Sequence, residues 1–178
     1  MQIRNHLINM LTTEHSKSQM QAIVNYIDGD AAKFNELVKI FLTGEYRIIQ
    51  RASWPLSNCI DRHPALAKKH LEKLFRHMKD AKQHPAVRRN VMRIFDIVTI
   101  PKNMHGELMN ESIDCIANPS EAVAVQAFAL GILQKLTKFY PEIRYEVELI
   151  IESRMPGATP AFSSRAKKYM RETAQKHI

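Results

Sequence analysis

The sequence predicts an all-α fold in which helix pairs stack on one another as a solenoid, and two observations carry that prediction. The first is a repeated spacing. Ile49, Ser53, Leu56 and Ile60 recur as Val87, Val91, Ile94 and Val98, as Val125, Ala129, Ile132 and Leu136, and as Phe162, Ala166, Tyr169 and Thr173. Each set steps by four, three and four, which is one stripe of a helix. The sets start 38, 38 and 37 residues apart, close to the period of two-helix repeats. The second observation is that no strand pattern competes. Val and Ile fall mostly at steps of three and four, and no alternating run is bounded by an Asn-Gly type turn.

Proline punctuates the elements. His63-Pro64, His84-Pro85, Asn118-Pro119, Tyr140-Pro141 and Thr159-Pro160 each precede a helical pattern, and proline at the first helical position forfeits no hydrogen bond that the helix needs. First helices are predicted over Ala31 to Leu42, Pro64 to Lys79, Met104 to Ala117 and Pro141 to Glu152. Second helices are predicted over Gly44 to Ile60, Pro85 to Ile100, Pro119 to Lys138 and Pro160 to His177. Ahead of them, Met20, Ile23, Val24 and Ile27 form an amphipathic helix ending at Asp28-Gly29-Asp30, with a short helix before it; residues 1–30 read as an N-terminal cap. Within Pro119 to Lys138, Val123, Val125, Ala127, Phe128, Ala129, Leu130, Ile132 and Leu133 leave almost no polar face, the mark of a helix covered from several sides.

Composition limits the chemistry. A chain of 178 residues fits one domain, with 45% hydrophobic and 25% charged residues. Met1 to Leu11 is interrupted by Arg4, Asn5, His6 and Asn9, which leaves no signal-peptide core, and no long apolar run follows. A soluble, cytoplasmic chain is therefore expected. Cys59 and Cys115 lie in helical patterns without CxxC spacing, so reduced, buried thiols are expected. His63, His70, His77 and His84 form a seven-residue ladder. Its rungs on a helix are roughly 10.5 Å apart, too far for two to ligate one metal ion, and the expected role is at the border of the apolar stripe Ala67, Leu71, Leu74, Phe75 and Met78. The five glycines form no phosphate loop, and neither HExxH nor GxSxG occurs. No cofactor and no metal are expected.

Val87-Arg88 after a proline, Ala129-Leu130-Gly131 and the period itself resemble HEAT or armadillo-type repeats. Tyr46 to Leu56, read with Pro156-Gly157-Ala158-Thr159-Pro160-Ala161-Phe162-Ser163-Ser164-Arg165-Ala166, is similar to short bacterial HEAT-like proteins, some of which carry the label adenylosuccinate lyase. The resemblance implies a right-handed α-α superhelix of about four helix pairs plus the N-terminal cap, as a single domain over 1–178. Its motifs are repeat motifs and carry no chemistry. A lyase reading fails on the residues: in Ser153-Arg154-Met155-Pro156-Gly157-Ala158-Thr159-Pro160, the lysine and asparagine that follow Met-Pro in that superfamily are replaced by Ala158 and Thr159, and Arg154 stands beside the position of the serine base. Met-Pro-Gly reads instead as loop punctuation.

Charge supplies the functional clue. From Arg62 to His105 the net charge is +8, which is the charge of the whole chain, whereas Asn103 to Glu152 carries −5. Such basic stretches attract acidic proteins and phosphate polymers alike. In HEAT-like solenoids the second helices line the concave surface, and residues two, six and nine beyond each repeat start lie opposite the core stripe. These are Arg51, Pro55 and Asn58; Arg89, Arg93 and Asp96; Ala127, Gly131 and Gln134; and Ser164, Lys168 and Arg171, with Arg47 and Trp54 on the same side. The expectation is a basic groove with an open, small-residue floor at Ala127 and Gly131. Trp54, the only tryptophan, either stacks on a ligand or packs on a neighbouring helix, and Arg93 has Asp96 or Asp61 as candidate partners. The function predicted is a non-enzymatic scaffold binding an acidic protein or peptide. The alternative is nucleic-acid binding related to the HEAT-like glycosylases of alkylated bases. Those enzymes place an aspartate near a tryptophan of the same helix, whereas the residue one turn beyond Trp54 is Asn58. No membrane partner is expected, and the oligomeric state is not set by these features.

Overall fold

In a computed structural model the described residues, 2–80 and 82–174, form two compact units, one up to Val98 and one from Thr99. The first contains α1 (Gln2–Thr13), α2 (Lys17–Ile27), α3 (Ala31–Thr43), α4 (Tyr46–Arg62), a 3₁₀ turn (Pro64–Ala67), α5 (Leu71–Met78) and α6 (Pro85–Ile97). The second contains a 3₁₀ turn (Lys102–Met104), α7 (His105–Ala117), α8 (Val123–Thr137), α9 (Ile143–Arg154) and α10 (Pro160–Thr173). Among the described residues there is no strand. The predicted extension of the last helix to His177 lies outside the described residues. Among the described residues no helix is long and apolar enough to cross a membrane.

Packing follows a next-but-one rule. In the first unit α1 packs on α3, α2 on α4 and α4 on α6; in the second α7 packs on α9 and α8 on α10. That pattern places first helices against first and second against second. The N-terminal pair α1/α2 obeys it like the later pairs. The apolar stripes supply the core. Of the recurring sets read from the sequence, every member is buried except the half-buried Thr173. A single pair cannot cover such a stripe, and the neighbouring pair must.

Local signals explain most boundaries. Ser16 caps α2 by accepting from the Gln19 amide, and Asp30 caps α3 by accepting from the Ala32 and Lys33 amides. Those two amide bonds hold the Asp30 carboxyl below the usual aspartate range. His84 caps α6, its Nδ1 accepting from the Ala86 amide 2.9 Å away, and Thr159 caps α10. Between α2 and α3 the chain turns through Asp28 (φ 38°) and Gly29 (φ 81°). A Cβ on Gly29 would stand 3.3 Å from the His63 ring, so both the left-handed backbone and the close approach call for glycine.

The structure corrects the proline reading at three of five sites. Pro85 and Pro160 open helices as expected. Pro64 instead opens a 3₁₀ turn, held by Leu66 N to His63 O (3.0 Å) and His70 N to Ala67 O (2.8 Å), which splits the helix expected over Pro64 to Lys79. Pro119 lies in a turn because Asn118 Oδ1 accepts from the Ser120 amide at 2.9 Å, and α8 starts only at Val123. Pro141 likewise precedes α9 in a turn, with Arg144 N bonded to Pro141 O.

In the second unit Leu136 is fully buried, and the Tyr169 hydroxyl meets Thr137 Oγ1 at 2.8 Å inside the core. Thr137 itself donates to the Leu133 carbonyl, so Tyr169 is the donor of the pair. Burial raises the Tyr169 pKa. Leu136→Ala is expected to cost about 3 kcal/mol through cavity formation. Tyr169→Phe, which leaves Thr137 with its carbonyl acceptor, should cost only about 1 kcal/mol. Urea denaturation of the two variants checks this ordering.

Candidate functional site

Helix α4 is unusual in carrying Pro55 in its interior. Proline supplies no amide hydrogen to the ladder, and the neighbouring polar side chains turn back onto the helix. Ser53 donates to the Gln50 carbonyl (2.7 Å), while Ser57 (3.0 Å) and the Asn58 amide (2.9 Å) both reach the Trp54 carbonyl. The same two hydroxyls face α6. Ser57 Oγ lies 3.0 Å from Asn90 Oδ1, and Asn90 Nδ2 donates to Ala86 O (2.8 Å) and to Ser53 Oγ (3.3 Å). Ser53, Ser57 and Asn90 are all buried. They form a polar seam between two second helices, extended outward by Arg93, which donates to Ser57 Oγ and pairs with Asp61 at 3.1 Å.

Seven of the residues predicted for a groove lie on α4 and α6 of the first unit. Arg47 and Arg89 are exposed and, among the described residues, make no hydrogen bond or ion pair. Arg51 points elsewhere: its guanidinium donates to the Leu11 and Thr12 carbonyls, both at 2.9 Å. These belong to the last turn of α1, where carbonyls lack helical donors and a cation is favoured. Trp54 is half-buried and meets the His15 ring edge-on with centroids 6.0 Å apart, so it packs on the segment that joins α1 to α2. Asn58 is spent on the Trp54 carbonyl, Arg93 on Asp61, and Asp96 is half-buried one turn beyond Arg93.

Three further predicted residues meet in the second unit around one acid. Gln134 donates to Glu172, whose Oε1 lies 3.9 Å from Lys168 Nζ and 3.7 Å from Arg171. Glu172 was not singled out from the sequence, although its place one turn after Lys168 is the signal for an ion pair. Of the small-residue floor expected in the third repeat, Ala127 is half-buried. Gly131 is buried, as is Pro55 at the matching place in the first unit. Helix α8 is flanked by α7, α9 and α10, which covers positions that lie opposite a single stripe.

Two further cations serve helix ends as Arg51 does. Lys33 donates to the Tyr26 carbonyl at the end of α2 (2.8 Å), and Arg154 to the Ile116 carbonyl at the end of α7. Arg154 also reaches Gln126 Oε1 (3.3 Å) and lies over the Phe162 ring (5.0 Å). It thus fixes the Met-Pro-Gly turn, where Gly157 has φ 82° and Ala158 N bonds Met155 O. A cavity of about 420 Å³ opens beside this turn, lined by Gln126, Ser153, Arg154 and Thr159 among others. Cys59 and Cys115 are buried free thiols, and burial pushes the Cys59 pKa up to about 12. Among the described residues no group of three or more histidine, cysteine or carboxylate side chains is placed to hold a metal ion.

Two substitutions separate these roles. Asn90→Ala should lower stability by about 2 kcal/mol, since it strips a buried network of its central member. Arg51→Ala should cost a similar ~2 kcal/mol but act on the N-terminal helices, so limited proteolysis should cut near residues 12–16 well before global unfolding. Denaturation midpoints and the first cleavage site provide the readouts.

The seams recur between elements about one repeat apart, which is the construction of a stacked helical repeat. A family model described as a HEAT repeat domain matches residues 7–173, from α1 through the end of α10. No curated protein and no solved structure matches the chain. The match covers nearly the whole sequence and every helix pair: the chain belongs to the HEAT repeat domain family.

Proposed function

We propose that this chain is a non-enzymatic binding module and that the α4–α6 face of its first unit binds an acidic segment of a protein partner. HEAT repeat domains are typically protein-interaction scaffolds without catalytic activity. The observation that carries the finer reading is the pair Arg47 and Arg89. These guanidinium groups are exposed on two directly packed second helices and are not consumed by internal acids. Arg89 occupies in α6 the repeat position that Arg51 occupies in α4, where the side chain is diverted to hold α1. Exposed guanidinium groups on packed helices give a surface suited to carboxylates. Arg93 borders the same face but already shares its charge with Asp61. Lys168, Arg171 and Gln134 contribute less, because Glu172 holds all three.

Asn58 does not support base-excision chemistry, since it presents an amide bonded to its own helix in place of a carboxylate one turn after Trp54. Simple nucleic-acid binding remains an outcome of the test. Labelled Glu/Asp-rich peptides, duplex DNA and single-stranded RNA are titrated with the protein at 50 and 200 mM salt. The acidic peptide should bind, Arg47→Glu with Arg89→Glu should weaken it about tenfold or more, and the melting temperature should be unchanged. Emission from Trp54, the single tryptophan, should shift on peptide binding. Tighter binding of DNA or RNA, with affinity falling about a hundredfold between the two salt concentrations as four phosphates are neutralised, would replace the acidic-protein reading. Peptide binding indifferent to the double charge reversal would overturn the assigned face.

A further inference from the structure

The outward face of α9 departs from that of the first helix before it. Buried Leu108 and Ser112 of α7 recur 39 residues later as buried Val147 and Ile151 of α9, which sets the register of the two helices. In that register Gly106, Glu107 and Asn110 of α7 correspond to Tyr145, Glu146 and Leu149 of α9, and all six are exposed. Glycine and an amide suit a face that meets water. A phenol ring and a branched alkyl chain do not, yet Tyr145 is 72% and Leu149 49% exposed. With Phe139 they make up three of the five exposed large apolar or aromatic side chains among the described residues, all between positions 139 and 149. Single exposed apolar side chains are ordinary, whereas a group of them marks a surface that another molecule covers.

The stripe is framed by acid. Glu142, Tyr145, Glu146, Leu149 and Glu152 follow one another at steps of three, one, three and three, which keeps them on one side of a helix. Glu142, Glu146 and Glu152 are exposed and, among the described residues, make no hydrogen bond or ion pair. The cations of α9 are committed elsewhere, Arg144 to Glu148 at 2.6 Å and Arg154 to the end of α7. The complement of this surface is carried by the first unit of the same chain. Lys68 and Lys69, in the turn ahead of α5, and Lys73, in its first turn, are exposed and make no hydrogen bond or ion pair among the described residues. Glu72, the acid among them, is bound to Arg76 at 3.0 Å. Just before these lysines, Ala65 is exposed and Leu66 half-buried on the 3₁₀ turn.

We propose that α9 docks on a second copy of this chain, its Tyr145–Leu149 stripe covered by the Pro64–Lys73 segment of that copy and its carboxylates paired with the lysines there. Glu142 and Glu146 step by four residues, and so do Lys69 and Lys73, which lets two ion pairs form side by side. The Tyr145 ring offers its face to the Lys68 ammonium, and Ala65 and Leu66 give Leu149 apolar cover. Two different surfaces meet, so the contact is heterologous. Each contact leaves one α9 and one lysine segment unused, and association continues past the dimer unless the rotation closes a ring. The pairs are solvent-exposed on the free chain, so added salt screens them and weakens the contact. Arg47 and Arg89 take no part in it.

The test is analytical ultracentrifugation of the full chain. At 50 mM salt the weight-average mass should rise about twofold or more between 5 and 200 µM protein, and return to that of one chain at 500 mM salt. Tyr145→Ser with Leu149→Ser removes the stripe, and Lys69→Glu with Lys73→Glu reverses its complement. Each double variant alone should stay a monomer. An equimolar mixture joins the intact lysine segment of one to the intact α9 of the other, and should form a one-to-one dimer that grows no further. All four positions are exposed, and thermal melting followed by circular dichroism checks that the variants keep their fold. The assignment is refuted if the parent stays a monomer at 200 µM and 50 mM salt, if either variant associates as strongly as the parent, or if the mixture stays monomeric. Loss of association in Arg47→Glu with Arg89→Glu would place the acceptor on α4–α6 and refute the lysine segment. Binding of a Lys/Leu-rich peptide by a chain that does not self-associate would put a foreign basic segment in place of the second copy.

Discussion

Everything in this chain depends on the fact that a helix pair exposes an apolar stripe it cannot cover alone. The stripe is covered by the next pair, and the energy of folding is therefore delivered across a fixed distance in sequence. The specific contacts obey the same spacing. Asn35 meets His70, Ser57 meets Asn90, Asp61 meets Arg93, His105 meets Tyr140, Gln134 meets Glu172, and Arg154 meets Ile116, with separations of 32 to 38 residues. The hydrophobic stripe sets the period and the polar side chains use it. This ordering explains why polar residues cluster on the flanks of second helices and on the ladder of first helices, where a neighbouring pair arrives within hydrogen-bond distance.

The same constraint sorts the basic residues. Stacking brings the carboxyl ends of helices against the next element, and those ends need donors. Arg51, Lys33 and Arg154 answer that need and are structural cations despite their charge. Arg93, Lys168 and Arg171 are shared with acids of their own or the neighbouring helix. Arg47 and Arg89, on the second helices of the first unit, are exposed. A positive net charge read along the sequence thus does not by itself locate a binding surface, because part of it serves helix ends and internal acids.

The fold was legible in the sequence because apolar periodicity is a local signal with a strong energetic basis. The recurring stripes are buried almost without exception, Ser53 included. Proline was legible only in part: Pro85 and Pro160 begin helices, whereas Pro64, Pro119 and Pro141 begin turns, and the difference lies in side-chain and backbone bonds such as Asn118 Oδ1 to Ser120 N that the proline itself does not encode. The site was less legible still. Opposition to the stripe reads as exposure, but Pro55 and Gly131 are buried because α4 packs on α2, α3 and α6, and α8 on α7, α9 and α10. Which arginine points outward is decided by whether a helix end lies within reach, and that is a property of the stack.

Buried polar groups in such a stack answer a problem that apolar stripes create. The stripes of successive repeats are alike in spacing and residue type, so sliding one pair by a turn along the next would sacrifice little apolar burial. A slide of that kind would leave Asn90 without Ser53 and Ser57, and His70 without Asn35. Each orphaned buried group costs about 1–3 kcal/mol, a large fraction of the stability of an ordinary domain. The α4–α6 seam does this with neutral amide and hydroxyl groups, whose partners do not change between pH 5 and 8. The α3–α5 seam does it with imidazoles, the His70 Nε2–H donating to Asn35 Oδ1. The buried α4–α6 seam therefore fixes register more firmly than the half-buried α3–α5 seam, where water can replace a lost partner.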